Sequence, residues 1–194
     1  LQHLVNAGRR LHTLQLANPF EAVWLNEGMS HMAEEILFFE ATGAPRKANL
    51  GLPELQQGGS SWVGAVNAYH VANLQRFIRF LEAPETHAVY DSVDTLEGRG
   101  AAQQFLRYAA DRLPQDDVAF FRALTDSPQT GWTNLAQRVG GEEALRRWLA
   151  DWAVAVYADD RVPGLATEHR LRSWSHPSIF QGLQVNTFPV RTRT

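Results

Sequence analysis

Leu4, Leu11 and Leu14 recur at near-helical spacing between Leu1 and about Leu16, with His3, Asn6 and Arg10 on a more polar side. The pattern predicts the tail of a helix that began upstream. Asn18-Pro19 then breaks it, because proline disfavours helix in the residue before it and suits a first helical turn. A second helix is predicted from about Glu21 to Thr42. In it Leu25, Met29, Met32 and Ile36, at offsets of four, three and four, make an apolar stripe, while Glu27, His31 and Glu34 fall on another face. Trp24 and Phe38-Phe39 widen the apolar surface, so both faces are expected to meet protein. A glutamate and a histidine turned into an interior need partners, since an unpaired buried charge costs several kcal/mol or shifts its pKa. A bound cation is one such partner.

Gly43 to Ser61 is rich in Gly, Pro, Gln and Asn and predicts a loop long enough to rim a cleft. Trp62 to Glu82, with Ala72, Leu74, Phe77, Ile78 and Leu81, predicts one helix ended by Pro84, and Glu85 to Gly100 a connection. Ala101 to Leu113 predicts a strongly amphipathic helix around Phe105, Leu106 and Ala109. Asp116-Asp117 caps a short helix through Leu124, and another short helix follows. Glu142-Glu143 opens a late helix whose stripe is Leu145, Trp148, Leu149, Trp152 and Val156. After Asp159-Asp160, prolines and β-formers replace the helical period, and Val185 to Thr192 predicts a strand. The expected architecture is mainly α, with a lobe of about six or seven helices over residues 1–160. Residues 161–194 form an irregular or extended segment that packs on the lobe or leads to downstream structure.

Composition adds bounds rather than identity. The 194 residues, 44% hydrophobic and 20% charged, suit a folded domain, and no run of eighteen apolar residues suggests a membrane span. A net charge of -3 gives no reason to expect nucleic acid, and the pairs Arg9-Arg10 and Arg146-Arg147 are read as solvated helix faces. The absence of cysteine excludes disulfides and thiol chemistry. Neither an internal repeat nor a glycine-rich phosphate loop occurs, and no G-x-S-x-G elbow supports a serine hydrolase. Ser173-Trp-Ser-His-Pro177 brings serine and histidine together in a Pro-bounded segment that is read as structural. Oligomeric state is not readable from the sequence.

The stretch carrying most chemistry is Trp24-Leu25-Asn26-Glu27-Gly28, with His3 twenty-four positions before Glu27. Together these resemble the metal-binding helices of the gluzincin metallopeptidases, hyicolysin-like members in particular, in which an H-E-x-x-H helix precedes a helix bearing a glutamate ligand. Further similarity covers Phe105 to Asp111 and Trp148 to Asp160. The resemblance implies the helical C-terminal lobe of a zincin catalytic domain, Zn2+ as cofactor, a peptide or protein substrate, and a secreted or cell-surface setting. It makes His3 and Glu27 metal ligands, with Leu1 and Gln2 as the two x positions. The first histidine and the general-base glutamate then precede Leu1, so the chain is expected to be a fragment. A catalytic zinc takes three protein ligands and water in the fourth position.

Around those ligands Asn26, Asn6 and Glu34 are candidates for hydrogen bonds that orient them. Each also has an ordinary reading as a cap, an amide or a helix-surface acid. Glu27-x-x-x-His31-x-x-Glu34 could in isolation compose a small metal site. Peptide hydrolysis needs an oxyanion donor, for which Tyr69, His70, Tyr90 and Tyr108 are the candidates. Relatives of this kind tend to place a tyrosine before or within the segment corresponding to Leu96 to Gln104, where this chain has none, so the donor is unassigned. Two functional expectations result: part of a zinc-dependent endopeptidase, or a helical binding or scaffold module whose peptidase-like site has decayed.

Overall fold

In the computed structural model, which describes residues 1–114 and 116–185, ten α-helices carry the fold. They are α1 (Gln2–Gly8), α2 (Val23–Thr42), α3 (Leu52–Gln57), α4 (Gly59–Tyr69), α5 (Val71–Glu82), α6 (Leu96–Arg112), α7 (Asp117–Thr125), α8 (Gly131–Val139), α9 (Glu142–Ala158) and α10 (His176–Gly182). Among the described residues the β-structure amounts to one isolated parallel bridge between Leu50 and Trp174. The mainly helical expectation holds. The strand predicted over Val185 to Thr192 lies, beyond Val185, outside the described residues, and Val185 itself is in no strand.

Helix α6 is the axis of the packing. Its residues from Gly100 to Asp111 are all buried, and it lies against α2 on one side and α5 on another. It starts five residues before the predicted Ala101, because the Thr95 hydroxyl accepts the Gly98 N–H at 3.0 Å and caps the first turn. Gly98 and Gly100 suggest a loop in one dimension. In the fold Gly100 serves a close helix crossing, since a Cβ there would sit 2.5 Å from the backbone nitrogen of Phe77 on α5. Gly28 does the same for α2, where a Cβ would meet Leu106 Cδ1 at 2.9 Å and Ala102 Cβ at 3.2 Å.

Four local expectations are corrected. The helix predicted from Trp62 to Glu82 breaks at His70, whose ring is buried and stacks on Trp174 at 4.4 Å between centroids. Helix α3 forms inside the predicted loop, where the Glu54 carboxylate accepts the Gly51 N–H at 2.8 Å and the Ser178 hydroxyl accepts that of Leu52 at 3.0 Å. In the segment expected to be irregular or extended, helix α10 forms, and residues 161–185 pack on the lobe. Their backbone pairs with Asn49 and Leu50, and Trp174, Ile179 and Phe180 enter the core.

The fourth correction concerns α1 and the π-helical turn Arg9–Thr13 that continues it. The polar side is buried and the leucine side is open: Asn6 and Arg10 are each 1% exposed, whereas Leu4 is 74% and Leu11 47% exposed. Arg10, read as solvated, donates to the carbonyls of Ser127 at 2.7 Å and Gln129 at 2.9 Å and lies 3.6 Å from the buried Glu21. The acceptors in the 126–130 loop and the buried Glu21 offset part of the cost of burying Arg10, whose Nε stays without a hydrogen-bond partner. Arg146 and Arg147 are solvated, pairing with Glu142 and Glu143 one turn away.

A polar network occupies the centre. Arg107 of α6 holds both oxygens of Asp117 at 2.8 and 2.6 Å, with Asp111 at 3.2 Å and Glu35 at 3.7 Å. Glu35 also accepts from the Trp174 indole and from Gln103. Arg107→Leu would leave three buried carboxylates without their common cation, so unfolding by urea should show a loss of about 3–5 kcal/mol. A loss under 1 kcal/mol would mean that water already solvates the network.

Burial pushes the carboxyls of Glu35 and Asp159 up to about 7, and holds His70 down at about 3 and His176 at about 4. The two pairs act oppositely on stability. The raised carboxyls stabilise the fold at low pH and lose that contribution as pH rises through about 7. The depressed histidines stabilise it above their ordinary 6.5 and lose that contribution as pH falls toward 4 and 3. At about 1.4 kcal/mol per pH unit each, the contributions of these four groups cancel between roughly 6.5 and 4.5 and leave a fall below. His176→Phe should therefore gain stability on acidification through that window relative to the wild type, by about 1.4 kcal/mol per unit. Parallel denaturation profiles for the two proteins would refute a neutral, buried His176.

Candidate functional site

Helices α1 and α2 meet through two side-chain pairs one turn apart. Asn6 donates its amide to Asn26 Oδ1 at 3.0 Å, and beside that bond His3 Nε2 lies 3.4 Å from Glu27 Oε1. The His3 side chain is 40% and the Glu27 side chain 16% exposed, so the pair sits at the edge of solvent, with no apolar layer between the two groups. The separation of 3.4 Å is long for a charge-assisted hydrogen bond, ordinarily about 2.7–2.9 Å. It matches two atoms bound to one tetrahedral zinc at about 2.0–2.2 Å each, which lie about 3.4 Å apart. An imidazole and a carboxylate are also donors that zinc accepts. The residues present therefore fit a shared cation.

The second oxygen of Glu27 faces elsewhere. Arg99 of α6 brings Nη1 to 2.9 Å from Glu27 Oε2, while its Nε donates to Asp94 Oδ1 at 2.6 Å and its Nη2 to Asp94 Oδ2 at 2.5 Å. The hydrogen bond from Arg99 holds the Asp94 carboxyl below its usual range. Trp24, Glu27, Val89, Asp94 and Arg99 line a small pocket between α2 and residues 88–99.

One turn beyond Glu27, His31 is buried and its Nδ1 lies 3.0 Å from Glu34 Oε2, which also accepts from Asn73 at 3.0 Å. Asn73 is in turn held by Arg76 at 2.6 Å. Since an ionised carboxylate only accepts, the neutral His31 ring carries its proton on Nδ1 and leaves a lone pair on Nε2, a buried atom with no hydrogen-bond partner. Burial keeps this histidine below its ordinary pKa, against the bond to Glu34 that favours the charged form.

Among the predicted site residues, then, His3, Glu27 and Asn26 come together, with Asn26 fastening α1 to α2 rather than touching a ligand. Glu34 turns to His31 and Asn73 and not to His3 or Glu27. Among the described residues no group of three His, Asp or Glu side chains is arranged to hold a metal, so His31 and Glu34 do not complete one. The four oxyanion candidates are scattered. Tyr108 is buried, its hydroxyl donating to the Glu168 carbonyl at 2.6 Å and accepting from Arg112 at 2.7 Å, so it is a core residue. His70 is enclosed against Trp174, and Tyr69 ends α4. Tyr90, half exposed with its ring edge on Trp132 at 5.0 Å, belongs to the segment that walls the Glu27 pocket.

No protein-family model, no curated protein and no solved structure matches this chain. The residues that sequence reasoning missed are Arg99 and Asp94. Five residues apart across a helix start, they carry no motif, and only the fold turns them onto Glu27.

The Asn6–Asn26 bond makes a direct prediction. Asn26→Ala leaves the buried Asn6 amide without its acceptor, at a cost of about 1–3 kcal/mol. Hydrogen exchange of α1 should accelerate while α6 keeps its protection. Unchanged exchange in α1 would show that Arg9 and Arg10, without Asn6, fasten this helix.

Proposed function

We propose that this chain supplies two ligands of a catalytic zinc centre in a gluzincin-type, hyicolysin-like peptidase, acting on a peptide or protein substrate. The observation that carries the reading is the His3–Glu27 approach at 3.4 Å, made by two residues that the W-L-N-E-G resemblance had singled out. Zinc held there would supply a Lewis acid and bring the pKa of bound water toward about 7. His3 offers Nε2 and Glu27 offers Oε1 to it. Arg99 pairs with the other Glu27 oxygen at 2.9 Å, on the side of Glu27 where Trp24, Val89 and Asp94 line a small pocket. In this reading a further histidine and the group that takes the water proton precede Leu1 in an H-E-x-x-H register, and the setting is secreted or cell-surface.

A second reading has its own observation. The Arg99–Glu27 contact at 2.9 Å is also what a structural ion pair looks like, and a decayed site retained as a binding or scaffold module would keep it.

The readings separate by elemental zinc analysis and cleavage of a quenched casein substrate. The comparison is between the 194-residue chain and a polypeptide extended upstream through an H-E pair. The extended protein should bind zinc tightly and cleave, whereas the short chain, with two ligands, should bind zinc only weakly and not cleave, since loss of a general base typically costs 10²- to 10⁴-fold. Glu27→Ala should remove zinc and turnover together, whereas replacing the upstream base by glutamine should spare zinc and lose turnover. An extended protein without zinc or activity favours the scaffold. Zinc-dependent cleavage by the short chain would mean that the motif has been placed wrongly.

A further inference from the structure

Within the reading of His3 and Glu27 as zinc ligands, we propose that Arg99, clamped by Asp94, is a positioning residue that fixes Glu27 as a one-oxygen ligand. The two oxygens of Glu27 are divided, Oε1 facing His3 at 3.4 Å and Oε2 facing Arg99 at 2.9 Å. A free carboxylate at the end of a flexible side chain turns about its last torsion and offers a cation either oxygen, or both. The ion pair between Oε2 and the guanidinium restricts that freedom and leaves Oε1 toward the imidazole.

A guanidinium beside a divalent cation repels it, and a lone arginine here would oppose binding. Asp94 changes that balance. It takes Arg99 in a bidentate grip, Nε at 2.6 Å and Nη2 at 2.5 Å, so the arginine arrives with its charge already matched. The grip also fixes the plane of the guanidinium, and hence the direction in which Nη1 meets Glu27. Two guanidinium nitrogens donate to Asp94 while the third lies 2.9 Å from Glu27, and the 29% exposure of Arg99 leaves this outer layer at the pocket wall rather than in the core. Lysine could supply the charge but not the fork.

The alternative is that Arg99 is a counter-ion competing with any metal for Glu27. The two roles predict opposite signs. The experiment is a zinc titration of the 194-residue protein, read residue by residue from the imidazole resonances of His3, with thermal unfolding to confirm that each variant is folded. In the wild type His3 should shift saturably, and Glu27→Gln should abolish the shift. Arg99→Gln should weaken zinc at His3 by about 10- to 100-fold, Asp94→Asn should weaken it in the same direction, and Arg99→Lys should recover part of the loss.

Tighter zinc binding in Arg99→Gln, or an unchanged affinity, overturns the positioning role while leaving the ligands in place. Zinc that moves His12, His87 or His169 but not His3 in the wild type overturns the metal reading, and the role of Arg99 with it. Should Arg99→Gln fail to fold, Asp94→Asn and Arg99→Lys decide the sign on their own.

Discussion

The close crossing of α2 over α6 at Gly28 is the constraint on which the site depends. With no side chain at residue 28, α2 settles directly on Ala102 and Leu106, and a Cβ placed there would overlap the Leu106 methyl at 2.9 Å. Ala102 is one turn from Arg99, and Gly28 is the neighbour of Glu27. Contact at Gly28 therefore sets Arg99 across from Glu27 without any further instruction. A larger residue would have to displace Leu106 and Ala102, both in the core, and so would strain the crossing that sets Arg99 opposite Glu27. The glycine of W-L-N-E-G thus has a packing reason that stands whether or not a metal is bound.

The long helices were legible because their apolar periods run over many turns. Helices α2 and α9 fall where Leu25, Met29 and Met32, or Leu145, Trp152 and Val156, place them. Legibility failed where tertiary partners overrode local pattern. His70 interrupts an otherwise continuous helix through its stack on Trp174, more than a hundred residues away in sequence, and no window of residues contains that information. The inverted α1 failed for the same reason, since leucine spacing states that a face is apolar and not that it is covered. Asn6 and Arg10 point inward because Asn26 and the carbonyls of Ser127 and Gln129 await them. Of the site, the pair His3 and Glu27 was legible through a resemblance of motif, and the outer layer was not.

The inversion of α1 has a consequence for the site. A seven-residue helix has little intrinsic stability in water, and here its leucines contribute little to holding it. Leu1, Leu4, Val5 and Leu11 leave an apolar strip in solvent, on the helix that carries His3. The position of His3 therefore rests on polar attachments: Asn6 to Asn26, Arg10 to the 127–129 carbonyls, and Arg9 to Asp126. Such bonds are directional, unlike an apolar contact that tolerates sliding, and they fix the rotation of α1 about its axis. That rotation decides whether the His3 ring faces Glu27.

The charge at the Glu27 pocket bears on both functional readings. In the core Arg107 stands among three carboxylates, so a negative excess around one arginine is by itself compatible with a structural role. At the Glu27 pocket Arg99 likewise brings one positive charge against two negative ones, Glu27 and Asp94. Nearby, Glu34 and Arg76 offset one another through Asn73. One negative charge is left over, on a carboxylate whose side chain is only 16% exposed and whose free oxygen looks at an imidazole nitrogen 3.4 Å away. Water screens part of it, since Asp94 and His3 are at the surface. A cation between His3 and Glu27, where the proposed zinc would sit, would offset that excess, whereas the scaffold reading leaves it to solvent and Arg99.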